Sequence, residues 1–225
     1  MSKLNKANFS SVFFDLDGTL ADTAPDLAAA ANKLRTDRKL EPIPLEQLRP
    51  ATSAGARGLI QIAFGLSPED PEFEALKNEF FINYENALHV HSYIFEEMET
   101  VLELLEIHQV PWGIVTNKHQ RFTNPLVKSM GLDIRAHATV SGDTTEFAKP
   151  HPAPILHAAK LSKVDPKDSI YVGDDERDII AGKAAGMKTV AAAYGYCGNE
   201  TPPEDWGADF LVHSPIELID ILFAK

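Results

Sequence analysis

Six short apolar runs set the limits on what this chain can fold into. They are "SVFFDL" (11–16), "WGIVT" (112–116), "HATVS" (137–141), "SIYVG" (169–173), "KTVAAA" (188–193) and "DFLVH" (209–213). Most are apolar at consecutive rather than alternate positions, the pattern of strands covered on both faces. Helical periods lie between them. Met98, Val101, Leu102 and Leu105 fall at i, i+3, i+4 and i+7, an amphipathic stripe. Residues 148–161 ("AKPHPAPILHAAKL") and 175–186 ("DERDIIAGKAAG") read as further helices, the second closed by Gly186 at the position after its C-cap. Strand and helix in alternation predict an α/β fold, a doubly wound and mostly parallel sheet.

One segment breaks the rhythm. From Asp22 to Val90 there is no strand pattern, only helical ones over 24–40, 53–65 and 71–88, the last with an apolar stripe of Phe73, Leu76, Phe80 and Tyr84. The first strand must therefore wait for its next parallel neighbour until the run at 112. A structureless loop of that length is improbable in a compact protein, so the segment is expected to fold as a helical unit of its own. "TAPD" (23–26) has the spacing of a capping box and marks the entry. The division expected is an α/β core of residues 1–21 and 91–225, with a helical cap of residues 22–90 inserted after the first strand.

Composition narrows the partners. A net charge of −12 argues against nucleic acid or an anionic membrane surface, which are held by clustered Lys and Arg. An acidic protein that binds an anion must supply positive charge locally, from a metal or a few placed cations. The lone Cys197 excludes an internal disulfide and suits a reducing cytoplasm. The opening "MSKLNKANFS" lacks the apolar stretch of a signal peptide, and no apolar run reaches membrane-spanning length. Cytoplasmic localisation is the expectation, as a monomer or small homo-oligomer.

Ligands of open α/β sheets bind at the carboxyl ends of the strands, and this sequence concentrates its chemistry there. The first run ends in Asp15 and Asp17, followed by Gly18 and Thr19. The second ends in Thr116, Asn117 and Lys118. "SIYVG" is followed by Asp174 and Asp175, with Asp178 a turn further on, and Lys149 lies in a loop between strands. Hard oxygen ligands without His or Cys point to Mg²⁺, which takes a few carboxylates and a substrate phosphate. The set suits hydrolysis of a phosphate ester. Asp15 would be the nucleophile, forming an aspartyl-phosphate. Asp17 would protonate the leaving alcohol and then activate water, a role that calls for surroundings favouring its protonated form. Thr116, Asn117 and main-chain N–H groups near Gly18 would bind the phosphoryl oxygens, with Lys149 adding fixed charge. Asp174, with Asp15 and the main-chain carbonyl of Asp17, would hold the metal, and Asp175 and Asp178 would orient metal-bound waters.

"DLDGTL", "VTN", "AKP" and "GDDERD", in this order and on these elements, resemble the four motifs of the haloacid dehalogenase-like superfamily. The helical insert after the first motif resembles its type-one cap. The roles just given coincide with those the resemblance implies. Within the superfamily, "DTAPD", "GARGL", "VTNK" and "GDDERDIIAGKAAGM" are similar to the 2-phosphoglycolate phosphatase group. "HVHSYIFEEM", "WGIVTNKHQRF" and "YGYCGNE…WGAD" are similar to a branch that hydrolyses N-acetylmuramic acid 6-phosphate, although Cys197 stands where an apolar residue is expected. The resemblance implies a phosphatase acting on a small phosphorylated metabolite, 2-phosphoglycolate first and the muramic acid ester as the alternative.

Other readings of the same residues stay open at this stage. Asp175 and Asp178 suit a helix N-terminus by charge alone. Lys118 and His119 are surface or substrate-adjacent groups, and Arg57 in "AGARGL" is either a cap residue meeting a substrate carboxylate or a solvated arginine. His89, His91, His151 and His157 have no partner at metal-ligand spacing and read as packing or surface groups. A receiver-type phospho-acceptor gathers similar residues but lacks the insert and the adjacent acid pair. A phosphosugar mutase would use the same two aspartates. A phosphonatase would need a cap lysine, and Lys33, Lys39 and Lys77 carry no recognisable context.

Overall fold

The computed structural model describes residues 7–198 and 201–223. The first six residues of the opening segment, and Asn199 and Glu200 of "YGYCGNE", lie outside the described residues. In chain order the elements are β1 (Ser11–Phe14), β2 (Ala21–Asp22), α1 (Ala24–Asp37), α2 (Leu45–Leu48), α3 (Gly55–Phe64), α4 (Phe73–Glu85), β3 (Tyr93–Ile94) and α5 (Glu96–Ile107). They continue as β4 (Trp112–Val115), α6 (Gln120–Ser129), β5 (Ala138–Val140), α7 (Ala153–Ser162), β6 (Ser169–Gly173), α8 (Glu176–Ala184), β7 (Lys188–Ala192), β8 (Phe210–Val212) and α9 (Leu218–Leu222).

Six strands form one sheet in the order β5-β4-β1-β6-β7-β8, with every pairing parallel. β1 lies near the middle, so its residues are buried on both faces and its apolar run is unbroken. Val12 and Phe14 join the core on one side of the sheet, and Phe13 joins the core on the other. Each such aromatic contributes about 2–3 kcal/mol through burial. Gly113 sits within β4 because a Cβ there would come within 3.0 Å of the Phe13 ring and 2.9 Å of the Ala138 carbonyl. Gly186, at φ +82°, follows α8 as expected.

The strands match their sequence signals, most of them shorter at one or both ends. The insert differs in two respects. It contains a further short helix, α2, and a 3-10 turn at Arg49–Ala54, both adjoining prolines that hid the helical period. It is also bracketed by a strand pair the sequence does not announce: β2 and β3 run antiparallel, with Ala21 opposite Ile94 and Asp22 opposite Tyr93. Two residues a side are too few to leave a periodic trace. Helices α1 to α4 share a hydrophobic core of their own, including Leu27, Leu34, Leu59, Phe80 and Tyr84, and Phe122 of α6 packs into it from the sheet side.

The expected capping box at 23–26 does not form. The Thr23 hydroxyl donates to Asp17 instead. The Asp26 carboxylate accepts the N–H groups of Val90, His91 and Ser92 at 2.8–3.0 Å and the Ser92 hydroxyl at 2.6 Å. Both side chains thus tie the entry of the insert to its surroundings rather than to their own helix. The reciprocal box lies on α8, where Asp175 accepts from the Arg177 N–H and Asp178 from the Asp175 N–H.

Candidate active site

The carboxyl ends of β1, β4 and β6 converge with the insert around a cavity of about 340 Å³. Asp15, Asp17, Thr116, Asn117, Lys149 and Asp174 line it, with Arg57 and Tyr84 from the insert. Asp15 follows β1 directly and is anchored by its own N–H to the Val172 carbonyl at 2.9 Å. Its carboxylate meets the Lys149 ammonium at 2.8 Å. Lys149 is buried and also faces Asp178 at 2.7 Å, the Val115 carbonyl at 2.8 Å and the Tyr171 hydroxyl at 2.9 Å. Burial opposes its charge, but the carboxylates of Asp15 and Asp178 outweigh that and hold the ammonium well above the usual lysine range.

Asn117 does not present its amide to the cavity as expected. Its Nδ2 donates to the Lys149 carbonyl and its Oδ1 accepts the Lys149 N–H, both at 2.9 Å. The amide therefore fixes the lysine's main chain. Of the main-chain N–H groups near Gly18, its own is taken by the Ala21 carbonyl at 2.8 Å. What its φ of +85° and missing side chain permit is a tight pass beside Asp174, whose Oδ2 would lie 2.2 Å from a Cβ on Gly18. Thr116 is buried, and its Oγ1 accepts the Lys118 N–H at 3.1 Å.

Asp15, Asp174 and Asp178 each offer a carboxylate oxygen, and these lie within 4.8 Å of one another. Asp174 and Asp178 are both 1% exposed. Thr19 Oγ1 and the Tyr196 N–H, each at 2.8 Å, orient the two oxygens of Asp174. Burial first, then the charges of Asp15 and Asp178, push Asp174 well above the carboxylate range. Burial pushes Asp178 up to about 7, with Lys149 opposing. Three acids thus repel one another around a point that a single lysine only partly neutralises. An all-oxygen set of this kind fits a hard divalent cation. Asp178 stands in that group, closer to the expected metal position than the outer role read from sequence. Asp175 lines the cavity outside that group, its carboxylate clasped by the Arg177 guanidinium at 2.7 Å.

Asp17 presents one carboxylate oxygen to two donors. Its Oδ1 accepts from the Thr23 hydroxyl and from the Lys118 ammonium, the latter at 2.8 Å. Lys118 is buried, and Asp17 restores the charge that burial disfavours, holding it above its ordinary value. Arg57 lines the cavity from α3 but is exposed. His89, His91 and His151 are exposed and His157 half-buried. Sequence reasoning missed Tyr171, which serves the lysine, read Thr23 as a helix cap and read Tyr84 as core. Thr19 stands inside "DLDGTL" and was named at the strand end without a role.

The pattern of the family described as haloacid dehalogenase-like hydrolase matches residues 12–192. An N-acetylmuramic acid 6-phosphate phosphatase of Pseudomonas putida is 40% identical over 94% of this chain and 95% of that protein. A phosphoglycolate phosphatase of Xanthomonas campestris pv. campestris is 42% identical over 92% of this chain and 94% of that one. The crystal structure of a predicted phosphoglycolate phosphatase from Haemophilus somnus 129PT superposes with a TM-score of 0.82 at 28% identity, covering 95% and 98% of the two chains. The chain belongs to the haloacid dehalogenase-like hydrolase family and is a phosphatase of that family. Among the described residues no helix is long and apolar enough to cross a membrane.

Proposed function

We propose that this phosphatase is a Mg²⁺-dependent phosphomonoesterase that works through an aspartyl-phosphate on a small phosphorylated acid, with 2-phosphoglycolate as the first candidate. The observation that carries the reading is the position of Asp15. It stands at the end of the central strand, against Lys149 and the acid cluster, and its carboxylate lines the cavity. In the first step an Asp15 oxygen bonds to phosphorus while the ester P–O bond breaks, and Asp17 gives its proton to the departing alkoxide. In the second, water attacks the same phosphorus as Asp17 takes the proton back, freeing inorganic phosphate and the Asp15 carboxylate. Lys149 and the Thr116 hydroxyl stabilise the charge that builds on the phosphoryl oxygens. Mg²⁺, held by Asp15, Asp174 and Asp178 with the Asp17 main-chain carbonyl, would supply the positive charge that lets a dianion approach these acids.

Residues 22–90 act in this reading as a cap whose inner surface selects the alcohol part of the ester. A second substrate, N-acetylmuramic acid 6-phosphate, is favoured by the cavity volume of about 340 Å³ and by the aromatic wall of Phe80, Phe81 and Phe122. Both candidates are carboxylic acids. Steady-state kinetics on the two esters side by side, with EDTA and the Asp15→Asn variant as controls, test the proposal. The expected result is turnover of at least one ester, abolished by EDTA and reduced by at least about 10³-fold in the variant. Turnover that survives either control would overturn the metal or the nucleophile assignment respectively.

A further inference from the structure

Lys118 is a cation that the chemistry above leaves over. Lys149 is committed to Asp15, Asp178 and two oxygens of the core, and Arg177 to Asp175 and the Ser53 carbonyl. The Lys118 side chain is only 7% exposed. Its ammonium has three N–H donors, and one carboxylate oxygen, Asp17 Oδ1, faces it at 2.8 Å. Its other close neighbour is the ring of Tyr84, whose centroid lies 4.8 Å away.

Tyr84 comes from α4, on the opposite side of the seam between insert and core. It is 1% exposed, and although the Lys118 charge draws on its hydroxyl, that oxygen has no hydrogen bond of proper geometry. A buried hydroxyl left unpaired is destabilising. Burial pushes the phenol up to about 12, so it stays a neutral donor. Both residues line the cavity beside Asp17, the acid assigned to the leaving alcohol. Arg57, the cation expected for this task, is exposed, and a charge in water is worth far less than one in a desolvated pocket.

We infer that Lys118 and Tyr84 form a second anion subsite, one half from the core and one from the insert, which takes a carboxylate borne by the alcohol part of the ester. The ammonium supplies charge and the N–H donors that Asp17 does not take, and the phenol supplies its O–H. A substrate bound this way bridges the seam, with its phosphoryl group on the core and its carboxylate shared with α4. The inference rests on the phosphorylated-acid reading above and specifies which residues make that choice.

Two substrate pairs test it, the first differing in a carboxylate replaced by a hydroxymethyl group and the second in the whole lactyl ether that carries the carboxylate. They are 2-phosphoglycolate against 2-hydroxyethyl phosphate, and N-acetylmuramic acid 6-phosphate against N-acetylglucosamine 6-phosphate. The readout is the ratio of kcat/KM within a pair, which cancels any loss of active enzyme or general damage to Asp17. Wild type is expected to prefer the acid in one pair, which identifies the source of the carboxylate. Lys118→Met is expected to lower that preference roughly 10- to 100-fold, with Lys118→Arg restoring part of it. Tyr84→Phe, a near-isosteric change, is expected to lower it several-fold and carries the test should the lysine variant fail to fold. A wild-type preference that stays within two-fold in both variants would overturn the subsite and leave the proposed function standing. Turnover with no acid preference in either pair would overturn the subsite and the acid part of the reading together, and absence of turnover on all four esters would overturn the whole.

Discussion

The guanidinium of Arg177 on α8 donates to the main-chain carbonyl of Ser53 in the insert at 2.8 Å, across a sequence separation of 124 residues. The same side chain clasps Asp175 with its other edge, and Asp175 is itself the N-cap of α8. A helix cap, an ion pair and a strut to the insert are thus one assembly. Because Arg177 is 41% exposed, the strut is worth on the order of 1 kcal/mol. In Arg177→Met, amide exchange over residues 49–54 is expected to quicken roughly five-fold, the factor that this energy gives when local opening limits exchange. Hydrogen–deuterium exchange with mass spectrometry reads it. Unchanged protection would mean that other contacts, such as Phe122 packed 5.3–5.4 Å from the Phe81 and Tyr84 rings, hold the seam without the strut.

Divalent cation should stabilise the fold, and more so as pH rises. Burial raises Asp178 to about 7 and Asp174 well above its usual range. Between the unfolded carboxyl value of 3.8 and those raised values the folded chain binds more protons than the unfolded one. Metal-free stability from these groups therefore falls as pH climbs through that window. A cation at the cluster replaces the protons and removes the loss. Thermal unfolding with and without Mg²⁺ should show a gap that widens from pH 5 to pH 8, about 2.7 kcal/mol at a hundred-fold excess over the dissociation constant. Asp174→Asn should close most of it.

The acids and Lys149 were legible in the sequence because each belongs to a short motif next to a strand, and the doubly wound topology then forces strand ends together. What the sequence hid is contact that depends on the third dimension. Tyr171 sits inside "SIYVG" like any strand aromatic, and only the fold turns its hydroxyl onto Lys149. Tyr84 belongs to a regular apolar stripe, so nothing in the period distinguishes a residue at the cavity from its neighbours. Asn117 lines the cavity, but its hydrogen bonds to Lys149 cross 32 residues and cannot be read from local spacing. The β2–β3 bracket is too short for any pattern.

Lys149 carries structure as well as charge. Removing a partner from a buried ion cluster leaves the remaining charges uncompensated, at a cost of about 3–5 kcal/mol. Lys149→Met is expected to lower stability by roughly that amount in EDTA, measured by urea unfolding. Added Mg²⁺ should recover a large part, since it neutralises the same acids, while phosphatase activity stays at least about 10²-fold down. Equal destabilisation with and without cation would separate the lysine's role from that of the metal cluster.

Asp26 should give the protein part of its resistance to acid. Burial alone would raise its carboxyl, but the Ser92 hydroxyl and the N–H groups of His91, Ser92 and Val90 outweigh burial and hold it below 3.8. A depressed carboxyl contributes stability that is present above the unfolded value and lost as pH falls through the folded one. These bonds hold the start of α1 against the segment that leaves the insert, so their loss loosens both ends of the helical unit at once. Asp26→Asn keeps the size but removes the charge and points an NH₂ at donors. It is expected to be about 2 kcal/mol less stable than wild type at pH 7. The difference should shrink steadily below pH 4, where wild type protonates and loses the same interactions. Urea unfolding of both proteins from pH 7 to pH 3 measures this, and a difference that stays constant across the series would show that shape, not charge, ties Asp26 to residues 90–92.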